Sequence, residues 1–209
     1  THPVNCGCMT CLGAFDIAHL QYLYGPNQYN ARKDDSYMLS DSLMGYECIW
    51  DAAGKDTIDA STASKSSTID LRNATLQNEV GGGGFVSEIN GEYKGFTIAY
   101  NSTGDCIIEN AIGSNFNDRI TGNEYSNTIY GLSGDDEIFA RGGSDYVYGG
   151  LGNDVIHGSF YGDPNNSIDT LSGGNGSDYF VLGDSSGLFY ESSLLNDFAN
   201  ITDFDFSED

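Results

Sequence analysis

A nine-residue period runs without a slip through residues 113–157, and it limits what this chain can become more than any other feature. The five nines are GSNFNDRIT from Gly113, GNEYSNTIY from Gly122, GLSGDDEIF from Gly131, ARGGSDYVY from Ala140 and GGLGNDVIH from Gly149. Position six reads Asp118, Asn127, Asp136, Asp145 and Asp154. Position eight reads Ile120, Ile129, Ile138, Val147 and Ile156. The stretch Gly158 to Ser172 is six residues longer than a nine, but the pattern returns within it at Asp169 and Leu171 and closes with GGNGSDYFV from Gly173.

Each nine divides into a six-residue loop and a three-residue strand. Glycine in the loop permits backbone angles closed to other residues and lets neighbouring coils approach. Side chains alternate along an extended chain, so positions six and eight face the same way. The aliphatic residue at eight points inward, and the carboxylate at six points into the loop. Two nines make one coil, with loops alternating between two edges. One edge carries Asp118, Asp136, Asp154 and Asp178; the other carries Asn127, Asp145 and Asp169. The expected fold is all-β: a right-handed parallel β-roll, a solenoid, with one N-terminal helix packed against it.

Adjacent coils lie about 4.8 Å apart. Carboxylates stacked at that spacing repel by about 1 kcal/mol per pair in water, and by several-fold more when desolvated. A hard divalent cation between loops removes the conflict. Calcium takes six to eight oxygens in tolerant geometry, whereas magnesium demands a tighter octahedron, so several Ca2+ ions are expected. Their ligands are expected from alternate loop positions and from position six: Gly131, Ser133, Asp135 and Asp136; Gly149, Leu151, Asn153 and Asp154; Gly173, Asn175, Ser177 and Asp178. Asp118, Asn127, Asp145 and Asp169 are candidates in the remaining loops. The alternative is a cation-free solenoid with solvated Asp turns. Phe116 and Tyr125 replace glycine at position four and Asn127 replaces Asp, so the first loops are expected to bind weakly or to act as a cap. The loop at 140–145 faces the irregular stretch before Asp169, where Gly162, Asp163, Pro164, Asn165 and Asn166 suggest an excursion off the coil.

Charge excludes some functions. With 31 acidic and 8 basic residues the formal net charge is −23, which argues against nucleic acid and anionic membranes as partners. The 14 Tyr and 11 Phe are too many for a disordered acidic chain. No stretch approaches a transmembrane length, so no membrane insertion is expected. No N-terminal signal peptide is visible. Calcium-demanding modules suit an extracellular setting, where the ion is abundant.

Before the repeats, Cys6, Cys8 and Cys11 cluster near the N-terminus, with Cys48 and Cys106 elsewhere. The count is odd, so one thiol is unpaired within a monomer. A disulfide from the cluster to Cys48 is favoured over a metal site, although the pairing is not readable from spacing. Residues 14–24 suggest a helix, with Ile17, Leu20 and Tyr24 flanked by Ala18 and Leu23 as its apolar face, ended by Gly25-Pro26. His19 is taken as a packing or surface residue. In Ile49 to Ser61, Gly54, Asp56 and Ile58 fall on positions four, six and eight of a nine, so the solenoid is expected to start before the regular run. Ile69 and Leu71 suggest a further strand. Asn90-Gly91 suggests a hairpin, and Phe96–Tyr100 and Ile107–Ile112 suggest strands feeding the repeat. Tyr130, Tyr146 and Tyr148 face outward on one sheet, Phe139 and Tyr179 on the other. The helix, or the tail with Leu188, Phe189 and Tyr190, is expected to cover one face. His157 is outward-facing with no assigned role. Phe198, Phe204 and Phe206 are expected to cap the open end, because a bare terminal coil leaves strand edges unpaired.

The nonapeptides carry the pattern of the calcium-binding RTX repeat. The chain further resembles the C-terminal domain of serralysin-type (peptidase M10) secreted metalloproteases. The resemblance spans most of the chain, and its specific part is DIAHLQYLYG (Asp16 to Gly25), IWDAAGKDTIDAS (Ile49 to Ser61) and IENAIG (Ile108 to Gly113). It implies a secreted, extracellular protein exported by type I secretion machinery, folding on calcium outside the cell, with a zinc endopeptidase domain upstream. It also implies further ions in the lead-in. Asp51, Gly54 and Asp56 would bind one, with carbonyls near Ala31, Lys33 and Asp35. Glu109, with Ala53 and Asp56, would serve a second; Ala53 stands where that family prefers glycine. The zinc motif HExxHxxGxxH needs histidines four apart, and His2, His19 and His157 contain no such pair, so no zinc site and no catalysis are expected in this chain. Thr1 and Asp209 both read as cut ends. The expected division is a junction segment at 1–48, lead-in coils at 49–112, the calcium-binding roll at 113–181 and a capping segment at 182–209. The rival reading is an RTX structural or adhesion protein with no protease domain.

Overall fold

The structure is a computed structural model that describes residues 14–24, 33–75, 77, 84–100, 106–160, 167–190, 197–206 and 209. Helix α1 (Ala14–Tyr24) comes first. The lead-in strands are β1 (Ser36–Met38), β2 (Tyr46–Ile49), β3 (Thr57–Asp59), β4 (Ser67–Asp70), β5 (Ser87–Ile89) and β6 (Gly95–Ile98). The repeats supply β7 (Asn110–Ile112), β8 (Arg119–Thr121), β9 (Thr128–Ser133), β10 (Glu137–Phe139), β11 (Tyr146–Leu151), β12 (Val155–His157), β13 (Ile168–Asn175) and β14 (Tyr179–Val181). A short hairpin, β15 (Gly183–Asp184) with β16 (Gly187–Leu188), precedes β17 (Phe198–Ile201).

From β1 to β4 and from β6 to β14 successive strands alternate between two sheets, which is the signature of a β-roll. One sheet has the order β1-β3-β7-β9-β11-β13-β17, parallel throughout. The other has the order β14-β12-β10-β8-β4-β5-β6-β2. The second sheet is parallel except at β5, which is antiparallel to both neighbours. That exception is the hairpin expected at Asn90-Gly91; Gly91 has φ +83°, a backbone region that favours glycine. The early solenoid start also appears, since Ile58 pairs in register with Tyr37 and Ala111.

Position eight of every nine faces inward. Ile120, Ile129, Ile138, Val147, Ile156 and Leu171 are fully buried, and they form one core with Ile58, Ile69 and Ile98. Each such side chain contributes roughly 1.5–3 kcal/mol by leaving water. The longer connection before Asp169 leaves this order intact, because Val147 pairs with Leu171. The excursion expected at 162–166 lies outside the described residues, as do Cys6, Cys8 and Cys11.

Several expectations need correction. In α1, Ile17 and Ala18 are buried as expected, but Leu23 is exposed and Gln21 is buried instead. Gln21 Nε2 donates to the Tyr100 carbonyl at 3.1 Å, which lets a polar side chain hold the helix to the roll. Tyr130 and Tyr148 are not covered; they stack on each other at 5.0 Å and remain exposed. The tail covers the opposite sheet, as expected of one face. Phe189 is buried 6.4 Å from His157, which itself stacks on Phe139 at 4.3 Å, so His157 is part of an aromatic pile. The aromatic cap forms only in part: Phe204 lies 6.2 Å from Phe180 of the last coil, and Phe198 lies in β17. Phe206 is exposed, while β17 adds a further strand with Ile201 turned toward the core. The amides beyond it are met by carboxylates: Asp203 accepts from the Ser172 hydroxyl and from Gly173 and Gly174 N–H. Asp209 accepts from Asp178 N–H.

Candidate metal centres

Strand register stacks position six into two columns. One runs Ser67, Asp118, Asp136, Asp154, Asp178. The other runs Asp35, Asp56, Glu109, Asn127, Asp145, Asp169. Within a column, each carboxylate accepts the backbone N–H of the residue one coil earlier. Asp118 N donates to Asp136 Oδ1 at 2.8 Å, Asp136 N to Asp154 Oδ1 at 2.9 Å, and Asp154 N to Asp178 Oδ1 at 2.9 Å. On the other edge Asp35 N donates to Asp56, Asp56 N to Glu109, Asn127 N to Asp145 and Asp145 N to Asp169. The ladder that like charge opposes is thus partly held by its own amides.

A second ladder at position five runs the other way. Asn117 Oδ1 accepts from Asp135 N, Asp135 Oδ1 from Asn153 N, and Asn153 Oδ1 from Ser177 N. Asp135 and Asn153, expected as metal ligands, thus use a side-chain oxygen in this ladder, and Ser177 joins it through its backbone N–H. A small polar residue at the same phase of each nine was the available signal. Position-three carbonyls are also shared, since Leu151 O and Asn175 O accept from Gly134 N and Gly152 N.

The second carboxylate oxygen separates the loops. Asp136 Oδ2 and Asp154 Oδ2 are buried with no hydrogen-bond partner. A side chain begun at Gly131 would meet Asp136 Oδ2 at 2.3 Å and the Gly149 carbonyl at 2.4 Å. One begun at Gly149 would meet Asp154 Oδ2 at 2.2 Å and the Gly173 carbonyl at 2.6 Å, and one at Gly173 would meet Asp178 Oδ2 at 2.1 Å. Glycine at position one therefore leaves a small volume walled by hard oxygens. Burial, with the neighbouring carboxylates, pushes Asp136 up to about 8, and Asp154 rises to about 6 for the same reasons. Buried, unpartnered, all-oxygen and acidic, this donor set fits Ca2+.

Asp118, Asn127 and Asp169 are met by protein groups. Asp118 takes both N–H and Oγ–H from Ser67 and from Ser114. Asn127 Oδ1 accepts from Asn123 N, and its amide donates to Glu109 O and Asn123 Oδ1. Asp145 stands in a loop whose first residue is Ala140, buried where the neighbouring loops have glycine. At Asp169 the Tyr190 hydroxyl donates to Oδ2 at 2.6 Å.

In the lead-in, Asp35, Asp51 and Asp56 bring carboxylate oxygens within 4.8 Å of one another. Gly54 (φ +150°) is required there, because a Cβ would stand 2.2 Å from the Lys33 carbonyl and 2.7 Å from Asp56 Oδ1. Asp56 Oδ2 is buried without a partner, and burial pushes this carboxyl up to about 6. Asp51 accepts from the Tyr37 hydroxyl at 2.6 Å and from Ala53 N at 3.2 Å. Glu109, half-buried and raised above the usual carboxylate range by that burial, joins through its bond from Asp56 N. Ala31 lies outside the described residues.

A family model for the RTX calcium-binding nonapeptide repeat, in four copies, matches residues 112–147, 131–160 and 165–186. No curated protein matches this chain.

Proposed function

The repeats are RTX calcium-binding repeats, and from that premise we propose that the chain is the non-catalytic calcium-binding module of a secreted serralysin-like zinc metalloprotease. Its work is to fold on calcium outside the cell after type I export and to stabilise the protease domain that precedes it. The calcium reading rests on one observation: the unpartnered Oδ2 atoms of Asp136 and Asp154 stand beside the carbonyls of Gly149 and Gly173. Those residues, with Asp178, would hold ions between successive loops; Asp51, Asp56 and Asp35, with the Lys33 carbonyl, would hold another. Bound calcium supplies positive charge that offsets carboxylate desolvation. The protein supplies the rest: amides fix one oxygen of each carboxylate, glycines leave space beside the second, and isoleucines hold the register. Metal binding and folding are therefore one equilibrium. The protease parent is supported by the blocks Asp16 to Gly25, Ile49 to Ser61 and Ile108 to Gly113.

Calcium titration followed by calorimetry and circular dichroism tests the first part. A cooperative multi-ion transition into β structure is expected; a chain already folded in chelator and unmoved by calcium would overturn it. The reading frame upstream of Thr1 tests the parent: HExxHxxGxxH is expected there, and its absence would favour a structural or adhesive RTX protein.

A further inference from the structure

The chain carries only 8 basic residues against 31 acidic ones, yet Arg72, Arg119 and Arg141 line a single cavity of about 170 Å³. They arrive from separate places: the turn after β4, the start of β8, and the loop between β10 and β11. Thr121, Phe139, Phe160 and buried Ser159 complete its walls, and among the described residues no carboxylate lines it. Rings hold the guanidinium groups in place. Arg72 Cζ lies 3.7 Å from the Phe85 centroid, Arg119 Cζ 4.4 Å from Phe139 and Arg141 Cζ 5.2 Å from Phe160. Each arginine also has an acidic partner, respectively Asp70, Glu137 and Glu124. Those pairs use Nε and Nη2 of Arg72, Nη1 of Arg119, and Nε and Nη2 of Arg141. Donors remain on all three forks. Arg141 is held at φ +79°, as Leu132 is at φ +82°, in the position where Gly150 and Gly174 stand in other loops, so the repeat template fixes the backbone from which this guanidinium is presented.

We propose that this cavity binds a tetrahedral oxyanion ester, a sulfate or phosphate group carried on a small organic body. Three forks offered from three directions match a group with several charged oxygens, and guanidinium pairs such groups by charge-assisted hydrogen bonds. The volume exceeds that of the anion alone but lies below that of a drug-sized pocket, which leaves room for about one sugar ring beside the phenylalanines.

The test uses the full chain in saturating calcium, shown by circular dichroism to be folded, and titrates it by calorimetry with glucose 6-sulfate, glucose 6-phosphate and glucose. Either ester binding while glucose does not is the expected result, and the tighter ester identifies the source of the anion. Arg141→Gly removes a fork and places glycine at a φ that favours it. It is expected to lower ester affinity about tenfold while leaving the calcium midpoint of folding unchanged. Arg119→Gln should weaken binding similarly. No heat with either ester at millimolar concentration, equal binding of glucose, or undiminished ester affinity in Arg141→Gly would overturn the proposal.

Discussion

The loops at 113–118 and 122–127 and those at 131–136 and 149–154 follow one template but complete it with different partners. In the first pair, serines and an asparagine close the loop: Asp118 is surrounded by Ser67 and Ser114, and Asn127 by Asn123 and Glu109. In the second pair, Asp136 and Asp154 each keep an oxygen buried and unpartnered. A protein-closed loop holds its shape without metal. A loop with an orphaned carboxylate oxygen carries a desolvation cost that only a proton or a cation offsets. On the proposed calcium reading, the loops at 113–127 are a metal-independent stretch between the lead-in site at Asp35, Asp51 and Asp56 and the later loops, which would depend on the ion.

Chelation should break the molecule along that line. In excess EDTA, hydrogen exchange followed by mass spectrometry is expected to show loss of protection across 131–157, with the 113–130 peptides losing less. Equal loss in both would remove the distinction. Asp136→Ala is expected to weaken calcium binding about tenfold or more, since a charged ligand is lost from the site. Asp118→Ala should instead leave calcium stoichiometry unchanged and lower stability by roughly 1–3 kcal/mol, through stranded Ser67 and Ser114 donors. Calorimetric ion counts and denaturant midpoints in calcium separate the two.

Protons substitute for the cation with a definite sign. Asp136 is raised to about 8, and Asp56 and Asp154 to about 6, above their unfolded values. The calcium-free roll gains stability from them that is fully present below about pH 4 and is lost as pH rises through 6 and then 8. Tm in EDTA should therefore be higher at pH 5 than at pH 8; the reverse order would mean these carboxylates are not the destabilising groups. The smallest expected effect belongs to Tyr190→Phe. Loss of the hydroxyl bond to Asp169 should cost about 1–2 kcal/mol in denaturant unfolding, without altering the response of 131–157 to chelator.

Much of this was legible because a strict period converts position into geometry. Position eight of a nine is inward wherever it falls, so Ile138 and Leu171 could be placed in the core without a structure. The two edges followed by the same rule. What was not legible lies outside the period. Tyr190 reaches Asp169, and Asp203 and Asp209 reach the last coil, through contacts set by how the tail folds back. Gln21 was missed because an amide on an apolar face reads as a solvent residue until its carbonyl partner on Tyr100 is known. Asp118 shows the limit most plainly. Phe116 at position four marked its loop as different, but the closing of that loop by Ser67 and Ser114 could not be read from the sequence.

The ladder bond from Asn127 to Asp145 spans 18 residues, and the one from Asp145 to Asp169 spans 24, with lengths of 2.7 and 2.9 Å. The same holds on the other edge, from Asp136 to Asp154 and from Asp154 to Asp178. Six extra residues thus enter one coil, and neither ladder changes spacing. A roll of this kind grows in two independent ways: by whole coils, which lengthen it, and by inserts at an edge, which decorate it. The six extra residues fall in sequence between Gly158 and Ser167, and that connection is a natural place to graft a foreign peptide onto a scaffold proposed to assemble on addition of calcium.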